Sequence, residues 1–207
     1  MEKYILSENF IEMESTGKRL YQIIATKSFS DVEKGELGGY VEGIKNLSEQ
    51  GNCWIYDDAQ VYDDAKICEN SVIAGCAKIS GKARVHDEAI VSDNAELSDN
   101  VIISGKASIY DSAKLSGNTR VCDNVLVFDS AEARGNVILS GNAKIYGYAK
   151  ISGEVHVCDD AVVCDTAVIY DEVIISHRAK VCGNAEVSNR NVCDSEVING
   201  DGQNLSA

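Results

Sequence analysis

The side chains of this 207-residue chain that could move a proton, attack a carbonyl or hold a metal are three His, eight Cys and 33 Asp and Glu. A general base for acyl transfer would be an imidazole, and His86 and His156 are the candidates. Cys158 follows His156 by two residues and forms a candidate Cys-His dyad, but two residues along an extended strand span about 6.6 Å, too far for a direct hydrogen bond. The Cys residues show neither CxxC pairs nor zinc-finger spacing, so reduced thiols are expected. Two further sets recur at intervals of 18 residues: Cys164 with Cys182, and Asp93 with Asp111 and Asp129.

An interval of 18 acquires meaning from a six-residue unit that runs without insertion from Cys53 to Arg190, 138 residues or 23 units. Its first position is Ala in 15 units and Val in five, and its third is Ile, Val or Leu in 22, Ala133 being the exception. Side chains alternate along an extended strand, so positions one and three share the inward face while two and four point out. Positions five and six, rich in Gly, Asn and Asp, tolerate left-handed backbone and turn the corner; His177 reads as a substituted corner residue. Three such strands make a triangular coil, and coils stacked about 4.8 Å apart pair their backbones above and below. The expectation is an all-β, single-stranded parallel β-helix of 18 residues per coil and about 7.7 coils, roughly 37 Å long. Val125 and Val137, replacing Ala near Ala133, are expected to fill the volume that Ala133 leaves.

In such a prism outward residues 18 apart form columns. Side A carries Trp54, Val72, Ile90, Leu126 and Val162 at the second position and Tyr56, Tyr110, Phe128, Tyr146, Cys164 and Cys182 at the fourth. Side B alternates Lys78, Glu96, Lys114, Glu132 and Lys150, a solvated charge ladder. Side C holds all three His, with His86 four coils from His156, roughly 19 Å away, so the two cannot share a site within one chain. Three convergent His for a zinc centre of the carbonic anhydrase kind are excluded for the same reason. An apolar side this long exceeds what monomers usually expose. Self-association into a dimer or trimer, cover by the N-terminal segment, or a partner protein or small ligand bound on Trp54, Tyr56, Ile90, Tyr110, Leu126, Phe128, Tyr146 and Val162 would each account for it. The stacked Asp93, Asp111 and Asp129 repel one another and could recruit a cation, while turn propensity explains them without one. Cys164 and Cys182 fall in adjacent coils at a separation compatible with a disulfide or with two reduced thiols.

Ahead of the repeat, residues 3–6 and 20–25 read as strands around a polar turn at Ser15-Thr16-Gly17-Lys18. Residues 1–46 are assigned as a β-hairpin cap, with Gly35, Gly38 and Gly39 marking a tight approach to the first coil; 47–190 form the helix and 191–207 its end, with Asn199 to Asn204 a loose tail. The runs Leu37-Gly38-Gly39-Tyr40-Val41-Glu42 and Asn46-Leu47-Ser48-Glu49-Gln50-Gly51-Asn52-Cys53-Trp54-Ile55-Tyr56-Asp57, with Lys3-Tyr4-Ile5-Leu6-Ser7-Glu8, resemble the YdcK-like family of bacterial and prophage proteins. That resemblance implies a left-handed β-helix with a small N-terminal β element. The family is labelled a transferase by fold analogy and brings no site residues to carry over.

The net charge of -14 disfavours direct nucleic-acid binding and anionic membranes. No stretch of about 18 apolar residues and no signal-like start occurs, so a cytoplasmic protein is expected. No inserted loop shapes an acyl-donor site, which favours a non-catalytic binding protein over its rival, an acetyl- or acyltransferase with His86 or His156 at a subunit interface. No cofactor is called for. Through the resemblance, the binding reading extends to a phage-borne protein that interferes with a host factor.

Overall fold

A computed structural model describes residues 2–200 and the backbone of Gln203 and Asn204. Among these residues the one helical segment is a 3-10 turn, Ile44–Asn46; everything else regular is β. The hexad's first and third positions are at most 3% exposed from Cys53 to Val187, forming one continuous core of Ala, Val, Ile and Leu. Ala133 is buried there, as are Val125 and Val137.

Strands stack in parallel on those 18 residues away: Ile90 faces Val72 on one side and Ser108 on the other. Outward positions carry much of the ladder, since Ile90 N–H donates to Ala107 O and Ser92 N–H to Ile109 O, each at 2.9 Å. The result is a β-solenoid of about nine turns. The turns beyond the 23 hexads lie at the ends. A strand at Leu37–Val41 pairs in parallel with Gln60–Val61, and Leu47 bridges to Ile67. Beyond Arg190 the coil continues with one residue skipped, so Ile175 pairs with Val192 and Lys180 with Val197, 17 positions on. In this last coil the positions that would be first in a hexad go to Arg190, which is exposed, and Glu196, which is half-buried, and the two form an ion pair. Val197–Asn199 is a strand with Gln203–Asn204 paired antiparallel to it, so Asn199, Gln203 and Asn204 of the expected tail lie in strands, while Asp201 and Gly202 lie outside the described residues.

The corners are left-handed turns, and at most of them a side chain bonds to the neighbouring coil. Asp99 sits at φ +59° and its Oδ2 accepts from Gly117 N–H at 2.9 Å; Asp57, Asp63, Asp87, Asp123 and Asp165 receive Gly N–H groups in the same way at 2.8–3.0 Å. A left-handed backbone costs a non-Gly residue energy, and a charge-assisted hydrogen bond offsets it.

The N-terminal segment folds as β1 (Tyr4–Glu12) and β2 (Arg19–Ala25), an antiparallel hairpin, with β2 antiparallel to β3 (Leu37–Val41). The hairpin therefore extends the side B sheet and covers its first edge. β1 is longer than expected because polar Ser7, Glu8 and Asn9 fall in a bulge, after which Phe10 regains register and packs on Tyr21 at 5.9 Å. Gly38 and Gly39 do mark a close approach: a Cβ would meet Ile55 O at 2.6 Å and Ala59 O at 2.5 Å respectively. Gly35 does not, having nothing within 4 Å, and serves a turn at φ +91°.

Gly39→Ala should therefore cost about 1–3 kcal/mol in urea unfolding, whereas Gly43→Ala, with open space around its extended backbone, should stay within about 0.5 kcal/mol of wild type.

Candidate functional site

The upper end of side A is core, not surface. Trp54 is fully buried between Tyr4 and Phe29, with ring centroids at 6.4 and 5.5 Å in edge-on geometry. Lys3, also buried, sends its Nζ to Cys53 O at 3.0 Å and lies 5.4 Å from the Phe29 ring. Tyr56 packs against the core and its hydroxyl donates to Asp31 at 2.9 Å. Tyr4 donates to Leu47 O at 2.9 Å, and burial pushes its phenol far up. Trp54 and Tyr56, candidates for a binding surface, thus dock the cap.

Below the cap the outward column does come together. Tyr110, Phe128 and Tyr146 stack with centroids 5.1 and 5.0 Å apart and planes within 8°. Beside them Leu126 and Val162 are half-buried and Ile90 is 42% exposed. The column ends on Cys164 and Cys182, which are buried free thiols. Contact with Cys164, then burial, pushes Tyr146 up to about 12. Burial pushes the Cys164 thiol up, with Tyr146 and Lys180 pulling the other way. This face offers flat, stacked π-surfaces.

The imidazoles stay apart. Side C register runs from Arg84 through Ile102, Arg120 and Ile138 to His156, which places His156 four coils from the strand that precedes His86. His86 Nδ1 lies 3.3 Å from Asp87 Oδ2, and Glu69 converges on the same spot. Asp87 is held below the usual carboxylate range, first by Gly105 N–H. His156 is exposed between Ile138 and Ile174. Cys158 is raised by burial and then by Asp159, the opposite of an activated thiol. His177 takes a corner at φ +60° and donates its N–H to Asp159, the role of a turn residue. Asp93, Asp111 and Asp129 turn corners too: their Oδ2 atoms accept N–H groups from Asp111, Asp129 and Gly147 at 3.4, 3.1 and 3.0 Å, which places a donor between successive like charges.

One feature escaped sequence reasoning. The β1–β2 turn overhangs side B, and Met13 and Ser15 roof a polar groove of about 550 Å³ floored by Lys78, Glu96, Lys114 and Glu132. Lys18 anchors that hairpin through Asp63 and Glu42. The signal was Lys18 itself, a cation beside a turn next to a corner-rich acidic sheet, but the hairpin's reach depends on the bulge in β1.

The chain is 44% identical over 63 residues to the uncharacterized acetyltransferase YdcK of Escherichia coli (strain K12), a match covering 28% of this chain and 19% of that protein. No family model matches. The likeness thus reaches about a fifth of a longer relative. Among the described residues no helix is long and apolar enough to cross a membrane.

Two outcomes follow. Trp54→Ala should cost about 3–5 kcal/mol and expose the cap to protease, as a core residue would. Lys18 holds the Asp63 carboxyl low, so this anchoring is complete above the ordinary Asp value of about 3.9 and is lost as pH falls through the lower, folded value. Hairpin-tip amide resonances of residues 12–19 should move with pH only in that acidic range, and Lys18→Met should move them at neutral pH.

Proposed function

We infer that the chain is a non-catalytic binding scaffold that assembles as a homo-oligomer through side A and takes a partner protein or small ligand along the aromatic column or in the groove between copies. The observation that carries this reading is the coplanar Tyr110, Phe128 and Tyr146 stack, flanked by Leu126, Val162 and the exposed Ile90. Flat aromatic surface of this kind supplies large contact area at little entropic cost. A left-handed winding, kinship with the YdcK-like proteins, a cytoplasmic setting and a phage or prophage origin belong to the same reading and rest on the sequence resemblance and the partial match to YdcK.

A second reading follows from the name of that relative: acetyl or acyl transfer, with His86 or His156 as interfacial base. Of the two, His86 has the built surroundings, with a carboxylate at hydrogen-bonding range of its Nδ1 to orient it.

Light scattering of the eluting protein separates these ideas. Wild type should elute as a dimer or trimer and Leu126→Asp or Phe128→Asp as a folded monomer; a monomeric wild type sinks the assembly. An acyl-coenzyme A thermal shift that disappears in His86→Ala would instead favour the transferase.

A further inference from the structure

We propose that Cys164, Cys182 and Asp165 form a binding site for a thiophilic divalent ion of the Zn²⁺ class. Cys164 and Cys182 occupy the fourth position of strands in direct register, Val162 facing Lys180 and Val163 facing Val181. The stacking of coils therefore brings their sulfurs together with no loop required. Asp165, at the corner that follows Cys164, swings a carboxylate toward the same point, and the three ligand atoms lie within 4.8 Å of one another. A tetrahedral ion with Zn–S bonds of about 2.3 Å needs sulfurs about 3.8 Å apart, a closure that side-chain rotation supplies.

The chemistry of the set favours a soft ion over Ca²⁺ or Mg²⁺, which prefer six or more oxygens. Both thiols are buried, at 1% and 8% exposure, while Asp165 is exposed, which gives the ion an entry on the corner side and little water to compete at the sulfurs. Asp165 Oδ2 also accepts Gly183 N–H at 2.8 Å, which fixes the carboxylate's orientation and leaves its other oxygen free of that bond. On binding, both S–H bonds break, two metal–sulfur bonds form, and two protons leave to solvent. The fourth position falls to water or to the Tyr146 phenol at the foot of the aromatic column. The other convergent set, Glu69, His86 and Asp87, offers no sulfur for a thiophilic ion and shares its hollow with two cations, Lys66 and Arg84.

The test is a titration of reduced, chelator-free wild type with Co²⁺, followed by displacement with Zn²⁺. One Co²⁺ per chain should bind with an intense near-ultraviolet thiolate charge-transfer band and release about two protons. The band should vanish in Cys182→Ser, the affinity should fall at least tenfold in Asp165→Asn, and His86→Ala should leave both unchanged. A wild type without the band overturns the proposal whatever the variants do. So does a band that persists in Cys182→Ser, or thiol mapping that finds Cys164 and Cys182 joined as a disulfide the reductant does not open.

Discussion

Every coil of this protein must turn three corners without a loop, and the bond that makes this possible joins a corner carboxylate to the backbone N–H of the next coil. An Asp at φ near +59° carries a conformational penalty, and stacked carboxylates carry a Coulombic one. Placing an amide donor between successive corners offsets both at once. Because that donor belongs to the residue 18 positions later, the same bond sets the period, and the period sets every outward column. At Gly135 and Gly153 the residue 18 positions earlier is itself Gly and offers no carboxylate, and there the chain runs as one strand through the bend and the sheets of sides B and C merge.

The prism and its inward faces were readable from the hexads, since Ala or Val at position one and Ile, Val or Leu at position three have only one way to be buried together in a strand. The aromatic column at Tyr110, Phe128 and Tyr146 and the pairing of Cys164 with Cys182 followed from the same interval. What could not be read were departures from the period. The fate of Trp54 depended on where Tyr4 and Phe29 would come to rest, which long-range packing decides. The single-residue skip after Asn189 hides in sequence because it removes the register by which the last coil would be recognised, yet Val192 and Ile198 still point inward. The side B groove was missed because a bulge at Ser7 to Asn9 lengthens β1 beyond its apolar start.

The surface divides its work by side. One side is aromatic and apolar below a buried cap, one is an ion ladder beneath a hairpin roof, and one carries imidazoles too far apart to cooperate within a chain. With no insertion leaving the solenoid between Cys53 and Arg190, specificity has to come from rows of side chains repeated at coil spacing rather than from a sculpted pocket. Both ends carry antiparallel pairing, the β1–β2 hairpin on side B at the first coil and Gln203–Asn204 against Val197–Asn199 on side A at the last, and such pairing makes those edges poor templates for another chain.

The alternating ladder of side B has a consequence for how the chain finds its structure. Hexads are nearly interchangeable at their inward positions, so a nascent coil that bulged out would let its neighbours close ranks with the core scarcely disturbed. On side B such a skip would bring Lys78 against Lys114 and Glu96 against Glu132, where the correct order sets each Lys beside a Glu. The cost of one like-charge contact is small, but it repeats along the ladder. Surface charges that add little to the finished fold thereby act as a proofreading code for coil count.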